Sequence, residues 1–555
     1  MIYAIIISLV LFISNFDASA QTQSKLIQIV KPELQRYMDS LKTQPIPPYF
    51  ISYYITDNRN TTISSVNGVL DNQIIDSSRS LDIQVRVGDY KFDNTHIIRG
   101  SSYDYSPSVG QIDLPFNDDE QAIRNILWFA TDKAYKNAIE RYEKAVTNSK
   151  VKVKEEDTSA DFSQEQPVKF YGKGAIIIPN VDKIKPLLNT LSKKFESYPW
   201  IYSSSVSFRG NSRKKILITS EGTETETYEN YFYIYVNAST KTDDGMDLPL
   251  YKSYFSFSPD SLPNADVISK DIDQLILLLD GLRKAPLAET FTGPAMLSGS
   301  AAGVFFHEIF GHRIEGYREK NPEAAQTFKK MVGQKVLPSF LNVISDPKRK
   351  YIDHTQLAGY YEVDDEGVPA QKVDVVKNGI FKSFLMSRTP IEGFDHSNGH
   401  GRKSPGYAPV TRQSNLIVLA DSTMPVENMK NKLRQIAKEQ GKDYGLYFTV
   451  VEGGFTIIQR TIPNSFNVMP LVVYKVYVDG RPDELVRGVD LIGTPLTTFA
   501  NIIAAGNDME TFNGVCGAES GWVPVSASSP TLLVSRIEVQ KKYVSQSKPP
   551  ILPAP

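Results

Sequence analysis

The residues best equipped for chemistry lie in the stretch AAGVFFHEIFGHRIEG, residues 301–316. It carries two imidazoles, His307 and His312, and the carboxylate of Glu308 directly after the first. Imidazole nitrogens suit a borderline divalent ion such as zinc, and a carboxylate beside the ion that is not itself a ligand can take a proton from water. The spacing needs explaining. Histidines four apart turn through about 400° and share a helix face, whereas five apart gives about 500° and leaves the rings about 140° from each other. A regular helix would keep both from one ion. Gly311, immediately before His312, can end or widen the helix and swing His312 back toward His307. The competing reading is a pair of core histidines beside Phe305 and Phe306, but that would bury Glu308 at a cost unless it were paired.

Catalytic zinc sites commonly take three protein ligands and leave a fourth position for water. The chain has one cysteine, Cys516, which cannot pair internally, and Gly514 and Gly517 around it allow close backbone approach. Its thiolate would complete a His, His, Cys set. On residue type alone the third ligand stays open, with Glu315, His354, His396 and His400 as rivals.

These residues need a scaffold. The apolar run entering His307 predicts a helix over Met296–His312, with a second helix over Pro425–Gln440 among strand-like runs such as SNLIVLA, LVVYKVYVDG and TLLVSRIEVQ. In the first half, alternation from Tyr49 to Arg99 around Asn67-Gly68 predicts antiparallel strands. Asn117 or Asp118 is placed to cap a long helix whose stripe, Ile123, Ile126, Leu127, Ala130, Ala134, Ala138, Ile139 and Tyr142, belongs to a core. Residues 152–166 read as a solvated loop or linker, and Ala175–Pro179 as a strand. A helix carrying Ile184, Leu187, Leu188, Leu191 and Phe195 follows, then the runs SSSVSF, KILITS and NYFYIYV, and a helix over Val267–Leu282. Pro286, Gly293 and Pro294 punctuate a break. The expectation is an α+β protein of two domains, 21–285 and 290–545, with large antiparallel sheets, packed helices, the metal site on a helix of the second domain, and a Pro-rich tail over 546–555.

Composition bounds the function. The 555 residues exceed one hydrophobic core, and 61 basic against 63 acidic residues leave a net charge of −2, so no global field draws the chain to nucleic acid. Ile2–Ile13 is almost wholly apolar and Ala18-Ser19-Ala20 follows, the pattern of a secretory signal peptide cleaved after Ala20. The mature chain is then expected to be exported, to the periplasm, without a membrane span.

Several segments in fixed order resemble the TldD/PmbA metallopeptidases: HEIFGHRIEG, YEVDDEGVPAQKVDVVKNGIFKSFLMSR, SNGHGRKSPGYAPVTRQSN, GLYFTVVEGG, GVDLIGTP and NGVCGAESGWVPVSASSPTLLV. The resemblance implies that His307, His312 and Cys516 hold one zinc ion per active subunit and that Glu308 is the general base. It places His400, Arg402, Tyr407 and Arg412 in a substrate-side loop, where the glycines from Gly399 to Gly406 suit a peptide bound as an added strand. It further implies peptide substrates and a homodimer, or a heterodimer with a paralogous subunit, whose sites face an internal cavity. The alternative is a non-catalytic peptide-binding or scaffold subunit with a structural metal. Extra length around Asn117–Trp200 departs from the family pattern.

Overall fold

The computed structural model describes residues 24–98, 110–150, 157–324, 326–456, 466–493, 495–542 and 548–552. The expected signal segment, Met1–Ala20, lies outside the described residues, as do 152–156 of the expected linker and 553–555 of the tail.

The first half is one twisted sheet carrying helices on one face. Its strands are β1 (Pro48–Val66), β2 (Val69–Val87), β3 (Ile112–Asp113), β4 (Lys169–Tyr171), β5 (Ser203–Thr219), β6 (Glu224–Lys241) and β7 (Asp247–Ser256), in the order β3-β2-β1-β5-β6-β4 with β7 also on β6. Asn67 (φ 46°) and Gly68 (φ 76°) make the tight turn between β1 and β2, a left-handed pair that Asn-Gly accepts readily. At about 3.4 Å per residue the longest strands run ~60 Å, enough for two helix pairs side by side. Helices α1 (Lys25–Leu41) and α2 (Glu120–Ser149) cover Ile51, Tyr53, Ile55, Leu81 and Ile83, while α3 (Val181–Ser192) and α4 (Ala265–Lys284) cover Val206, Phe208, Phe232 and Ile234. The opposite face presents Tyr54 and Lys215 to the second half: both reach Asp365 Oδ1, at 2.5 and 2.8 Å.

The second half folds around α5 (Gly299–Ile309). On one side, β8 (Phe291–Leu297) lies between the strands Tyr444–Thr456 and Leu532–Lys541, and pairing continues through Val489–Gly493 and Phe466–Tyr477 back to Tyr444–Thr456, closing a barrel. On the other is a sheet ordered Ile380–Phe381, Val373–Lys377, Leu341–Ser345, Asn415–Ala420, Gly521–Ser529, Glu510–Ala518. Ladders are antiparallel except at Asn415–Ala420 with Gly521–Ser529, Tyr444–Thr456 with β8, and β4 with β6. The architecture is α+β with large antiparallel sheets, as expected. No helix among the described residues is long and apolar enough to cross a membrane.

Four expectations change. The cap of α2 is Asp119, whose side chain accepts from Ala122 N at 2.7 Å, in place of Asn117 or Asp118. Ala175–Pro179 is no strand: Ile177 N–H donates to Ser212 Oγ (2.9 Å) and Ala175 O accepts from Asn230 (3.1 Å), so side chains take the bonds a ladder would have used. The helix begins at Gly299, not Met296. Ser298 caps it by accepting from Ala301 N (3.2 Å), and Met296 belongs to β8. Residues 157–166 lack regular structure but are not solvated, because Asp161, Phe162 and Ser163 are buried and the Arg388 guanidinium lies 3.8 Å from the Phe162 ring.

Candidate metal centre

Helix α5 is apolar all round because it is wedged between barrel and sheet. Two glycines make the wedge possible. A Cβ on Gly299 would stand 2.4 Å from Ser529 O, and one on Gly303 would stand 2.6 Å from Ala527 O, so helix and strand touch backbone to backbone. His307 and Glu308 fall in its last turn. At Phe310 the helix stops and Gly311–Arg313 forms a 3-10 turn. That turn carries His312 back, and the two imidazole centroids lie 5.0 Å apart at 76°. A Cβ on Gly311 would fall 1.9 Å from Gln413 Oε1, so a larger residue there would have to displace the Gln413 side chain. Gln413 in turn donates from Nε2 to His307 O at 3.3 Å.

Cys516 arrives from the hairpin of Glu510–Ala518 with Gly521–Ser529. Its Sγ is 3.4 Å from His312 Nε2, and one ligand atom each from His307, His312 and Cys516 fall within 4.8 Å of one another, all three residues buried. Bonds of about 2.0–2.3 Å to a tetrahedral ion would set such atoms ~3.3–3.6 Å apart. His307 Nδ1 is buried with no hydrogen-bond partner. The donor set of two imidazoles and a thiol fits zinc. Burial would raise the Cys516 thiol, but the two imidazoles beside it hold it well below its ordinary range, toward thiolate. Burial would likewise lower His312, yet Cys516 and Glu315 hold it well above its usual value.

Glu315 stands behind His312, accepting from its Nδ1 at 3.1 Å and from Arg318 Nε at 2.9 Å. It is therefore not a third ligand. It fixes the ring so that Nε2 faces the thiol, and although burial opposes ionisation, His312 and Arg318 hold its carboxyl far below the usual range. Glu308 lies beside the ligand triangle without belonging to it, its Oε2 4.0 Å from His312 Nε2. Arg313 caps the helix end by donating to Glu308 O (3.1 Å) and Ile309 O (2.8 Å).

The expected substrate-side residues are differently placed. Arg412 is fully buried and braces the Cys516 hairpin, donating to Cys516 O (2.6 Å), Ser520 Oγ (3.0 Å) and Gly521 O (2.9 Å). Arg402 is buried against Gln413 O and Pro524 O, both at 2.7 Å. His400 is buried between Ser345 Oγ (3.0 Å) and Asn398 Oδ1 (2.9 Å), and that burial pushes it down to about 3, so it is a neutral strut. Of the four, Tyr407 alone keeps substantial exposure, at 37%. Nor can the loop from Gly399 to Gly406 offer a free edge, because Gly401, Lys403 and Gly406 donate their N–H groups to Asp364, Asp365 and Asp82. Carboxylates distant in sequence sustain the burial of the amides, of Lys403 beside Asp82 and of Arg412 near Glu315, whereas Arg402 is satisfied by backbone carbonyls. The rivals His354 and His396 are exposed, His396 standing 3.5 Å from Glu165. Residue-type reasoning missed Gln413, Arg318, Ser520 and Glu519; Arg318 donates to Glu315 and Glu519 together, tying the helix end to the hairpin tip.

Residues 290–541 match the PmbA/TldA metallopeptidase C-terminal domain. The chain is 28% identical over 268 residues to a metalloprotease TldD homolog of Buchnera aphidicola, covering 48% of this chain and 51% of that protein. It is 30% identical over 238 residues to a metalloprotease of Archaeoglobus fulgidus, covering 43% and 51%. To a zinc metalloprotease TldD homolog of Saccharolobus solfataricus it is 27% identical over 247 residues, covering 44% and 51%. The chain spans about half the length of these curated relatives. Among solved structures, TldE from Thermococcus kodakarensis superposes with TM-score 0.60 at 12% identity, covering 93% of this chain and 100% of that one. A Thermotoga maritima protein named for a candidate role in modulating a DNA gyrase gives 0.61 at 16%, covering 92% and 100%. At these identities the likeness is one of fold.

Proposed function

Because the chain belongs, through residues 290–541, to the PmbA/TldD family of metallopeptidases, we propose that it is a zinc-dependent peptidase acting on short or unfolded peptides. The observation carrying this reading is the convergence of His307, His312 and Cys516 with the carboxylate of Glu308 left over beside them. A structural ion has no use for such a carboxylate, whereas hydrolysis does. His307, His312 and Cys516 would hold the ion, with Glu315 fixing His312 and Arg412 fixing the Cys516 strand. Zinc bound there supplies Lewis acidity and brings the pKa of water toward neutrality. Glu308 accepts the proton of the attacking water on its carboxylate and passes it to the leaving amine. Phe305, Phe306 and Phe310 are fully buried in the core that anchors the helix carrying His307 and Glu308.

The scaffold reading is set aside by the same carboxylate. In this proposal the chain works as a homodimer or beside a paralogous subunit, and it is exported to the periplasm after cleavage following Ala20. The test of the chemistry is metal content and peptide cleavage by wild type and Glu308→Gln. We expect equal zinc and a rate lower by ~10²–10⁴ in the variant; a variant with zinc and full turnover would overturn the assignment.

A further inference from the structure

Helix α5 stops before its hydrogen bonds are complete. Its last main-chain bond runs from Phe310 N–H to Phe306 O at 2.9 Å. The break deprives the carbonyls of His307, Glu308 and Ile309 of their helical donors, and such carbonyls favour one more turn because the next N–H groups would satisfy them. Two side chains donate instead. Arg313 bonds Glu308 O and Ile309 O, at 3.1 and 2.8 Å, and Gln413 Nε2 bonds His307 O at 3.3 Å. Arg313 lies on the 3-10 turn itself, whereas Gln413 comes from the chain between Val410–Thr411 and Asn415–Ala420. A continuing helix would give His307 O the N–H of Gly311 and carry His312 to a position ~140° around the axis from His307.

The fold alone gives little reason for an amide at position 413. Gln413 is 1% exposed, and its Oε1 is buried without a hydrogen-bond partner among the described residues. An orphaned amide oxygen costs stability, and an apolar side chain of similar volume would avoid that cost. The main chain of Gln413 is held separately, its N–H by Glu315 Oε1 (3.3 Å) and its carbonyl by Arg402 (2.7 Å), so those bonds do not depend on the side chain. The amide also fills the space beside Gly311, the residue whose N–H would compete for His307 O. We propose that Gln413 is a positioning residue for the metal centre: by donating to His307 O in place of Gly311 it holds the helix broken, and so keeps His312 turned back toward His307 and Cys516. It acts through these ligands without being one of them. The inference rests on the metal reading of His307, His312 and Cys516 and concerns what keeps them together.

Gln413→Leu and Gln413→Met keep the volume and drop the donor, and both are made in the full chain. Crystals of the metal-free variants should show His312 turned away, with its ring well beyond the parental 5.0 Å from His307 and its 3.4 Å contact with Cys516 Sγ lost. Cobalt(II), a spectroscopic stand-in for zinc at nitrogen and sulfur ligands, should bind about tenfold or more weakly. At saturation its visible bands should weaken as water replaces the His312 nitrogen. The urea midpoint of the metal-free variants should equal or exceed the parent's, because the orphaned amide oxygen is gone. A residue serving the fold alone would lower that midpoint and leave the cobalt spectrum as it was. Unmoved rings, parental cobalt affinity and spectrum, or failure of both variants to fold would each overturn the proposal. A parent that binds neither cobalt nor zinc would overturn the peptidase reading, and the ring positions would still decide the role of Gln413.

Discussion

Replacing Glu315 by Gln asks whether the metal centre is built by residues that never touch the metal. The carboxylate is fully buried and accepts from His312 Nδ1 (3.1 Å), Arg318 Nε (2.9 Å) and Gln413 N (3.3 Å), with Arg412 Nε 3.6 Å away. Gln preserves volume but has one acceptor oxygen in place of two, and its amide N–H₂ must face at least one of these donors. Two guanidinium groups then lose their buried countercharge. Breaking a buried ion pair by removing one partner costs about 3–5 kcal/mol. The effect on metal runs through His312: with its Nδ1 no longer held by a carboxylate the ring is free to turn, and loss of such a support costs about 10- to 100-fold in metal affinity. Two assays separate these effects. Urea unfolding of the metal-free protein reads the stability loss, and competition against a zinc chelator reads the affinity. Glu519→Gln is the control, because Glu519 also bonds Arg318 but is 39% exposed at its side chain and should change stability by about 1 kcal/mol or less. If Glu315→Gln kept parental zinc affinity while losing stability, the carboxylate would be a fold element only, and the orienting role argued from the His312 contact would be wrong.

Cys516→Ser should lose most bound zinc while keeping the circular dichroism of the parent, since only one ligand of a preformed site is altered; full occupancy in the variant would place the third ligand elsewhere. Gly303→Ala puts a methyl 2.6 Å from Ala527 O, so α5 must shift and denaturant unfolding should show a loss of about 1–3 kcal/mol. The carboxyl of Glu366 is raised to about 7 by burial, against the pull of Arg388 and Arg86 and with Glu165 adding to the rise. Because its folded value lies above its unfolded one, its contribution to stability is full below about pH 4.5 and is lost as pH rises through about 7. Glu366→Gln should therefore flatten the stability–pH curve across that window, and identical curves for both proteins would sink the assignment.

What the sequence made legible is what depends on near neighbours. Asn67-Gly68 announces the β1–β2 turn because both residues accept positive φ, and the α2 stripe announces its face because its period is local. The His307, His312 pair was readable only as a problem: five positions apart on a helix, rescued if Gly311 broke it. The 3-10 turn supplies the break, and the space beside Gly311 is filled by Gln413, which reaches His307 O across 106 positions. The same distance hid the burial of Arg402 and Arg412. A run of Gly, Arg, Lys and Tyr reads as a solvated loop, and it is buried because Glu315, Asp364 and Asp365 arrive from elsewhere in the chain to accept from it. Cationic loop and acidic partners together cost less to bury than either alone. The loop that resembles a substrate contact is therefore part of the wall that holds Cys516.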